Sequence, residues 1–501
     1  MREIASEMHS HVGDYDVVVV GAGIVGSMIA RDLSRYEGRL ALVDKEPFSG
    51  FGVSKGSLSM VHSPSMWPPG ALRTKLTVEA PTRYRKLADE LDVVFRDLDE
   101  VYLALEPSHV PKLEEMKRRG EEYGSLRYEI IGPKKIHELE PHLTKKVVAA
   151  LYIRGLGTIY PPEWTFALSE NAVQNHVHLH LSTTVMDIKR EGNGVYLLHT
   201  SKGNFRARYV VNSAGLFADE IAHMVGDHDI RLSLTKGTMA ILDNAVSHLV
   251  RHMIYGTFSK EHSQVIAPTA HGNLMVGLGY FTKPEHKGDT VVTRDKLQEV
   301  MRMGRELVPA LSEKDIITSF AGIRSENSKA SNGDFYIAPS EHAPGVIHAI
   351  IGSPGLTDAP GIAESVIILL RDAGMEMVEK KSFRRKRVGW PRFSTAPPEQ
   401  RREMIASNPA YGHIVCRCEE VTEGEITEAI RRGANTLDAV KHLTRAGMGR
   451  CQGGFCGVPV LNLLTRERNL PQTLVTKKGK GSHQVTGFVR ERGAKGLPPD
   501  R

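Results

Sequence analysis

The chain has 501 residues, too many for one hydrophobic core, so two or three domains are expected. Its composition, 41% hydrophobic and 25% charged, is that of a globular protein, and no apolar run approaches the roughly 20 residues that span a bilayer. The net charge is +6, but no basic stripe is interleaved with aromatic residues in the way that stacks bases, so nucleic acid is not an expected partner.

Most of the positive charge lies in two segments. Residues 380–402 hold nine Lys or Arg and one Glu, a net +8, and residues 471–501 carry a net +5. They predict a solvated connector and tail, or a contact with a partner or an anionic membrane surface. The first 13 residues are polar and mixed in charge, unlike a secretory signal. A cytoplasmic, reducing setting is therefore expected, with peripheral association at the inner face of the membrane as an open alternative.

Strand and helix patterns alternate in the first part of the chain. Residues 15–20 predict a buried strand, 24–36 a helix and 40–43 a second strand. An amphipathic helix is expected over 71–91. The other elements expected here are helices over 133–139 and 166–176 and strands over 101–106, 177–181, 185–189 and 209–212.

Longer β-rich stretches follow, such as 237–242 and 273–278. A strand over 346–351 and a helix over 360–370 come next. Residues 376–410 are rich in Pro and Arg and predict a basic linker. Residues 411–470 predict a compact final module, and 471–501 a basic tail.

A glycine-rich turn, Gly21-Ala22-Gly23-Ile24-Val25-Gly26, joins the first strand to the first helix. In such a turn the first glycine permits the tight bend, the second lets the backbone approach a pyrophosphate, and the third lets the helix pack close to the strand. The helix N-terminus offers N–H groups and a partial positive charge to the phosphates. Asp44 closes the next strand eighteen residues after Gly26, where a carboxylate accepts from ribose hydroxyls. The expected cofactor contacts are Gly21, Gly23, Ile24, Val25, Gly26 and Asp44.

We find no second turn of this kind for NAD(P)H. FAD is therefore the expected dinucleotide, and nicotinamide is not the expected electron partner. A fortuitous glycine turn is the alternative interpretation of the motif.

Five further motifs follow the glycine turn in a fixed order. They are VSKGSLSMVH at 53–62, VNSAGL at 211–216, TAHGNL at 269–274, FAGIR at 320–324 and GSPGLT at 352–357. Together they resemble the D-amino-acid-oxidase/glycerol-3-phosphate-dehydrogenase superfamily of FAD enzymes. Within it the chain is most similar to the group of L-2-hydroxyglutarate dehydrogenases and anaerobic glycerol-3-phosphate-dehydrogenase A subunits. The resemblance implies further FAD contacts at Ser54, Lys55, Ser57, Val185, Ala214, Gly215, Gly355, Leu356 and Thr357.

The expected fold class is α/β, with a Rossmann-type FAD-binding domain interleaved with a β-rich α+β substrate domain and a small, mostly helical C-terminal module. The oxidoreductase part is expected over 14–375. Its FAD-binding pieces are placed at about 14–80, 145–225 and 315–375, and its substrate domain at about 81–144 and 226–314.

Oxidation of a substrate C–H by flavin leaves negative charge on the ring, which a helix N-terminus stabilises. Gly355-Leu356-Thr357, ahead of the helix over 360–370, is placed for this. Arg324 is the expected cation for an acidic substrate, because a guanidinium grips a carboxylate or phosphate bidentately. Many relatives follow that arginine with proline, whereas this chain has Ser325. An imidazole suits the base for a hydroxyl proton, and His62 and His271 are the candidates.

The four cysteines, Cys416, Cys418, Cys451 and Cys456, lie together in the final module. Four thiolates suit a 2Fe-2S cluster, and a structural zinc site is the alternative. The segments at 416–426 and 447–456 resemble the bacterioferritin-associated-ferredoxin-like module. Backbone N–H groups at Gly453 and Gly454 are expected to face the sulfurs, and Arg417, Arg445 and Arg450 to offset the cluster's negative charge. The cluster is expected to carry electrons, with a purely structural role left open.

The preferred interpretation is a dehydrogenase that oxidises a small anionic hydroxy substrate, glycerol 3-phosphate or a 2-hydroxy acid. Electrons would leave FAD through the cluster to a partner subunit or a quinone-linked acceptor. Two alternatives remain: an amine or amino-acid dehydrogenase of the opine, proline or sarcosine type, and an electron-transfer subunit with a degenerate substrate site.

Overall fold

The computed structural model describes residues 11–256 and 264–487. It separates into two compact units, one formed by residues up to 45 together with 49–388, the other by 46–48 and the residues from 389 onward. Each unit is described by itself. In the described part of the chain, no helix is both long enough and apolar enough to cross a bilayer.

The first unit contains nineteen labelled strands and nine labelled α-helices within the described residues. In chain order the strands are β1 (His11–Val20), β2 (Leu40–Val43), β3 (Met60–Val61), β4 (Phe95–Asp97), β5 (Glu100–Ala104), β6 (Arg127–Ile131), β7 (Ala149–Arg154), β8 (Gly157–Ile159), β9 (His178–His180), β10 (Val185–Arg190), β11 (Tyr196–Thr200), β12 (Gly203–Asn212), β13 (Leu232–Leu242), β14 (Met253–Tyr255), β15 (Gln264–Pro268), β16 (Leu274–Thr282), β17 (Ile316–Asn327), β18 (Tyr336–Pro339) and β19 (Val346–Ile350). The helices are α1 (Ile24–Leu33), α2 (Leu72–Thr77), α3 (Ala80–Leu91), α4 (Val110–Glu121), α5 (Pro133–Leu139), α6 (Pro161–Gln174), α7 (Ala218–Met224), α8 (Arg294–Leu307) and α9 (Gly355–Asp372).

Two large sheets organise this unit. In the first, β9, β2, β1, β12 and β19 run parallel in that order, the arrangement of a Rossmann fold, and β10, β11 and β18 add antiparallel edges. Side chains of α1, α3, α6 and α9 share one apolar core with this sheet. The second sheet, in the order β17-β13-β16-β15-β14-β5-β7-β6, is covered by α8. The predicted α/β class with an interleaved β-rich domain is confirmed.

Sheet pairing moves some of the expected domain boundaries. β7 and β17 were expected in the FAD-binding pieces, but β7 pairs with β5 and β6, and β17 pairs with β13 in the second sheet. Conversely, α3 was expected in the substrate domain, yet Tyr84, Leu87 and Leu91 are buried in the core of the first sheet. Sequence pattern gives the strands but not their pairing partners, which is why these boundaries shift.

Two predicted helices have different bounds. The helix expected over 71–91 is two helices, and Pro81, which lacks an N–H, stands in the first turn of the second. The helix expected from 360 begins at Gly355 and continues through Pro360. Proline leaves the Leu356 carbonyl without its usual donor, and the Tyr84 hydroxyl donates to that carbonyl instead.

The first half of the expected linker packs on the first unit. Backbone groups of this strap, which we define as residues 376–388, bond to the end of α1 and to α6: Glu37 N–H donates to Val378 O at 2.7 Å, and Arg384 N–H to Asn175 Oδ1 at 2.7 Å. Arg387 is buried, pairs with Glu170, and donates to the Leu91 carbonyl at 2.9 Å. The strap is therefore not a solvated connector.

The second unit contains a short hairpin and four α-helices within the described residues. Its elements are β20 (Ile414–Cys416), β21 (Val421–Thr422), α10 (Pro398–Ser407), α11 (Glu423–Arg431), α12 (Leu437–Thr444) and α13 (Gly457–Arg468). A capping box between Thr422 and Glu425 starts α11. Part of the expected tail is ordered here, since Val475 is buried and Thr476 O accepts from Leu437 N–H at 3.1 Å. Residues 488–501 lie outside the described residues.

Candidate active site and metal centre

The glycine turn lies between β1 and α1. Gly21 has a φ of +106°, and a Cβ there would come within 2.4 Å of the Ser213 carbonyl oxygen. A Cβ on Gly26 would lie 1.8 Å from the Gly21 oxygen. Both positions therefore admit only glycine. Gly23 is the N-cap of α1 and has no side chain of its own to cap the helix, which lets a phosphate approach this helix N-terminus.

Asp44 follows β2 beside this turn. Its Oδ2 accepts a hydrogen bond of 2.6 Å from the Ala22 N–H, and its own N–H donates to the His180 carbonyl at 2.9 Å. The carboxylate is thus fixed at the carboxyl end of the parallel strands, where the ribose of a dinucleotide lies in this fold. Ile24 and Val25 form the buried first turn of α1.

The second expected FAD-contacting strand, β12, ends against the glycine turn. Ser213 Oγ lies within donating distance of both the Val20 and the Gly21 carbonyls, at 2.9 and 3.2 Å. Ala214 and Gly215 come directly after it, and Gly215 has a φ of +58°. Val185 is buried in the apolar core on the other face of the sheet from α1, together with Val20 and Val43 at the carboxyl ends of β1 and β2.

The loop expected over the flavin, residues 53–62, is held at both ends. Ser54 Oγ accepts from the Ile24 N–H at 2.9 Å, which ties the loop to the start of α1. At the other side, a Cβ on Gly322 of β17 would lie 2.4 Å from the Gly56 oxygen. Within the same loop, Ser57 Oγ accepts from Ser59 N–H at 3.1 Å, and Lys55 Nζ lies 4.5 Å from the centre of the Phe51 ring.

The first turn of α9 meets the same loop. Thr357 Oγ1 donates to the Met60 carbonyl at 3.1 Å and accepts from the His62 N–H at 3.2 Å. Gly355, Leu356 and Thr357 are thus the first residues of an eighteen-residue helix, rather than a turn ahead of one, with no described side-chain cap. This arrangement gives α9 the N-terminal positive charge that was expected near the flavin.

Arg324 lies on β17, between a contact with the flavin loop and a contact with the segment that follows β19. Two residues before it, Gly322 contacts the flavin loop, and one residue after it, Ser325 Oγ donates to the Ile351 carbonyl at 3.0 Å. Ser325 therefore fixes the strand where many relatives have proline. Among the described residues no carboxylate lies within ion-pair distance of the Arg324 guanidinium, and burial lowers its pKa. A partly buried guanidinium without a described carboxylate partner is suited to binding an anionic ligand.

His62 stands in a polar cluster with Glu100 and Tyr255. Its Nδ1 lies 3.2 Å from Glu100 Oε1 and 3.1 Å from the Tyr255 hydroxyl. Glu100 is fully buried, and its other oxygen accepts from Ser63 Oγ at 2.9 Å. A buried carboxylate beside Nδ1 favours the imidazole tautomer that carries its proton on Nδ1. Nε2 is then free to accept a proton, as in active sites where a third group orients the catalytic base.

Tyr255 links this cluster to the arginine. Burial raises the pKa of Tyr255 well above its ordinary value, an effect that Glu100 reinforces and Arg324 opposes. Its ring stacks on Tyr102 with centroids 4.5 Å apart. The hydroxyl is therefore a fixed, protonated donor within the electrostatic reach of Arg324.

His271 lies elsewhere. It stands in the turn between β15 and β16, with its ring 5.1 Å from that of Tyr160. Leu274, just after the turn, pairs with Leu242 at one end of β13, whereas Arg324 pairs with Thr235 towards the other end. Strand register therefore separates His271 from Arg324, and we do not retain it as a candidate base.

The four cysteines meet in the second unit as two close pairs. Cys418 Sγ and Cys451 Sγ are 3.7 Å apart, and the thiols of Cys416 and Cys456 share a hydrogen bond. The Cys456 thiol and the Gly447 N–H, which lies 3.5 Å from Cys416 Sγ, lower the pKa of Cys416 to about 6.

Backbone N–H groups face these sulfurs. Those of Phe455, Gly453 and Gly454 donate to Cys451 and lower its pKa. A Cβ on Gly449 would lie 2.3 Å from Cys418 Cβ, so this part of the loop must be glycine to let the cysteines close together. Arg445, expected to offset cluster charge, instead pairs with Glu419 at 2.7 Å.

The pairing distinguishes the two metals that four thiolates could hold. A two-iron cluster takes two thiolates on each iron, whereas structural zinc draws four to a single point. Two separate pairs of thiolates, with N–H donors around them, fit a 2Fe-2S cluster.

Two residues of the candidate site were missed in the sequence. The sequence carried an indication of Glu100. It is a carboxylate at the first position of the otherwise apolar strand Glu100–Ala104, and a buried carboxylate needs a polar partner. Tyr255 had none, since it is one of several aromatic residues in β-like segments.

Comparison with known proteins agrees with both halves of this geometry. Residues 16–367 match the family model described as FAD dependent oxidoreductase, and residues 414–466 match the BFD-like 2Fe-2S binding domain. A glycerol 3-phosphate dehydrogenase of Caloramator mitchellensis is 36% identical over 477 residues, which cover 94% of this chain and 98% of that protein. The A subunit of the anaerobic glycerol-3-phosphate dehydrogenase of Escherichia coli (strain K12) is 23% identical over 97% of this chain and 93% of its own.

Among solved structures, the dithionite-reduced L-alpha-glycerophosphate oxidase of Mycoplasma pneumoniae with FAD bound has a TM-score of 0.70. It is 24% identical and covers 75% of this chain and 100% of its own, which supports the fold. The cofactors of this protein are FAD and a 2Fe-2S cluster. The chain belongs to the FAD dependent oxidoreductase family and carries a BFD-like 2Fe-2S module in addition.

Proposed function

We propose that this protein is a glycerol 3-phosphate dehydrogenase that oxidises the substrate's secondary alcohol to a ketone. The observation that carries the proposal is Arg324, a half-buried guanidinium without a described carboxylate partner, within electrostatic reach of the His62–Glu100–Tyr255 cluster. Relatives over most of the chain are named for glycerol 3-phosphate. A phosphate needs a cation and an alcohol needs a base, and this site offers both.

In this proposal Arg324 holds the phosphate. Its planar fork can donate two parallel hydrogen bonds to two phosphate oxygens, which fixes the orientation of the three-carbon backbone as well as its position. The negative charge of the phosphate also serves as the counter-ion of Arg324, which no carboxylate of the described residues provides. Glycerol, which lacks the phosphate, would be bound weakly.

His62 takes the hydroxyl proton. Glu100 positions the ring through Nδ1 and stabilises the imidazolium that forms, and the Tyr255 hydroxyl contacts the same ring nitrogen. FAD, when bound, would supply the acceptor for the hydride, and with it the two electrons, that leaves the carbinol carbon. The alcohol thus loses one proton to His62 and one hydride, and a ketone remains.

The residues that would hold FAD are those of the two helix N-termini and the flavin loop. Gly21, Gly23 and Gly26 admit the pyrophosphate at α1, and Asp44 receives the ribose. The start of α9 offers positive charge to the reduced ring.

The cysteine pairs would hold the 2Fe-2S cluster, which carries one electron at a time toward an acceptor. We propose that this acceptor is a partner subunit or a quinone-linked carrier, in line with relatives that are named as one subunit of an anaerobic dehydrogenase. The strap presents Lys381, Arg384, Arg385 and Lys386 to solvent and is a candidate contact with an acidic partner or the inner face of an anionic membrane.

Anaerobic mixing tests the substrate. The holoenzyme would be mixed with sn-glycerol 3-phosphate, L-2-hydroxyglutarate, L-proline and glycerol, and the flavin absorbance followed. We expect sn-glycerol 3-phosphate to bleach the flavin fastest and at the lowest concentration. Bleaching by the hydroxy acid or the amine in preference to the phosphate ester would overturn the proposal.

A further inference from the structure

The cysteine loop carries an exposed apolar pair. Phe455 and Val458 are 73% and 66% exposed, the two highest values among the large hydrophobic residues described in the second unit. Phe455 lies between Cys451 and Cys456 in the sequence, and Val458 stands in the first turn of α13. Single exposed hydrophobic residues are common, but an aromatic side chain directly beside a redox centre is an anchor of the kind that dominates protein interfaces.

The cysteines themselves differ in exposure on the two sides of the loop. Cys416 and Cys456 are buried, whereas Cys418 is exposed and Cys451 is half-buried. The Phe455 N–H donates to Cys451, so the backbone that carries the exposed ring also touches the more accessible cysteine pair. Electrons would therefore leave from the same face that presents Phe455.

Charge around this face is positive. Arg417 and Arg450 are both exposed and adjoin Cys418 and Cys451 in the sequence. The two acids of the same loop are engaged: Glu419 pairs with Arg445 at 2.7 Å, and Glu420 lies 3.7 Å from Arg401. Arg417 has no ion pair among the described residues. The exposed charge that an approaching partner meets here is cationic.

We propose that Phe455, Val458, Arg417 and Arg450 form a docking surface for an acidic one-electron carrier protein. This inference rests on the proposed function, in which the cluster conducts electrons outward. Each transfer oxidises the reduced cluster by one electron and reduces one carrier by one electron, so two carriers are reduced for every alcohol oxidised. The cationic rim steers the acidic carrier, and the apolar pair provides the contact that is desolvated on docking.

The test uses the full-length holoenzyme reduced with dithionite, so its outcome does not depend on the substrate. A flavodoxin of net negative charge is the probe, and cytochrome c, a basic carrier, is the charge control. Binding is measured as a Kd at low ionic strength, and cluster re-oxidation is followed after rapid mixing. Phe455→Ser and Arg417→Glu are the test variants.

The chain offers a matched control for each. Leu474 is 57% exposed and lies near the start of α12, away from the cysteines, and Arg468 is exposed at the far end of α13 from Cys456. Cluster absorbance and the electron paramagnetic resonance (EPR) spectrum of every variant are recorded first, to confirm that the centre is intact.

We expect flavodoxin to bind more tightly than cytochrome c. Phe455→Ser should weaken that binding and slow re-oxidation at least about tenfold. Arg417→Glu should weaken it at low salt, with the difference shrinking as salt is added. Leu474→Ser and Arg468→Glu should leave Kd within about twofold. Unchanged binding in the test variants, or equal losses in the controls, would overturn the proposal. So would variants that slow cluster reduction from the flavin but bind flavodoxin normally, because the face would then serve the chain's own first unit.

Discussion

Replacing Arg324 with methionine separates the charge of the guanidinium from the packing of its stem. Methionine keeps an apolar chain of similar length in the site and removes every donor. Removing one partner of a buried ion pair costs about 3–5 kcal/mol. Since about 1.4 kcal/mol corresponds to a factor of ten, a loss of roughly 10²- to 10⁴-fold in kcat/KM for glycerol 3-phosphate is expected. Arg324→Lys keeps the charge but not the fork, and a smaller loss of about 10- to 100-fold is expected.

The same change should not destabilise the fold. The Arg324 side chain is half-buried, burial lowers its pKa, and no carboxylate of the described residues lies within ion-pair distance. Replacing such a charge with an apolar side chain is often neutral or stabilising. The Tm of Arg324→Met should therefore equal or exceed that of the parent protein, which distinguishes a lost ligand contact from a damaged site.

The assay compares two substrates. Anaerobic stopped-flow bleaching of the flavin gives kcat/KM for sn-glycerol 3-phosphate and for glycerol, which lacks the phosphate. Arg324→Met should reduce the first value sharply and leave the second nearly unchanged. An equal loss for both substrates, a loss below about threefold for the phosphate ester, or a clearly lowered Tm would refute the assignment of Arg324 to the phosphate.

Four further changes test other parts of the account. Glu100→Gln should lower kcat by about 100-fold, because Glu100 Oε1 lies 3.2 Å from His62 Nδ1 and positions the ring; a kcat within about threefold of the parent would leave Glu100 a structural role only. Gly26→Ala should abolish FAD retention, read as the ratio of flavin to protein absorbance, since its Cβ would lie 1.8 Å from the Gly21 oxygen. Cys418→Ser should remove the cluster's iron while FAD stays bound, and iron analysis that matches the parent would contradict this. Burial raises the pKa of Asp358 well above its usual range. The folded protein therefore loses stability as the pH rises above the pKa of the unfolded carboxyl, about 3.9. The Tm of Asp358→Asn should accordingly rise relative to that of the parent between about pH 5 and 8, and a Tm difference that does not change with pH would contradict this.

The Rossmann unit could be predicted almost entirely from local pattern. The strand–turn–helix around Gly21 has a local backbone signature, because Gly21 has a φ of +106° and a Cβ on Gly26 would lie 1.8 Å from the Gly21 oxygen. The same holds for the cysteine loop, where thiolate spacing and glycine positions already indicate a cluster.

What the sequence could not supply was long-range pairing. Arg324 was expected in a piece of the FAD domain, but the pairing of β17 with β13 places it in the second sheet. His62 and Glu100 come together although they are 38 residues apart, and no local periodicity encodes that contact. His271 lies in the turn beyond the Leu242 end of β13, and only strand register shows that Arg324 pairs towards the other end.

The strap was predicted wrongly for a different reason. A basic, proline-rich segment usually remains solvated. Here, however, Arg387 pairs with Glu170 and donates to the Leu91 carbonyl, and a backbone N–H of the strap donates to Asn175. The partners are far from the strap in the sequence, so composition alone pointed to a linker.

The central claim is that electrons from glycerol 3-phosphate pass through FAD to the 2Fe-2S cluster. EPR of holoenzyme mixed anaerobically with sn-glycerol 3-phosphate, without any external carrier, tests it most directly. We expect the signal of a reduced 2Fe-2S cluster to appear as the flavin reacts, and we expect Arg324→Met to suppress it. Flavin bleaching by the substrate with a cluster that stays oxidised, while dithionite reduces it readily, would contradict the account.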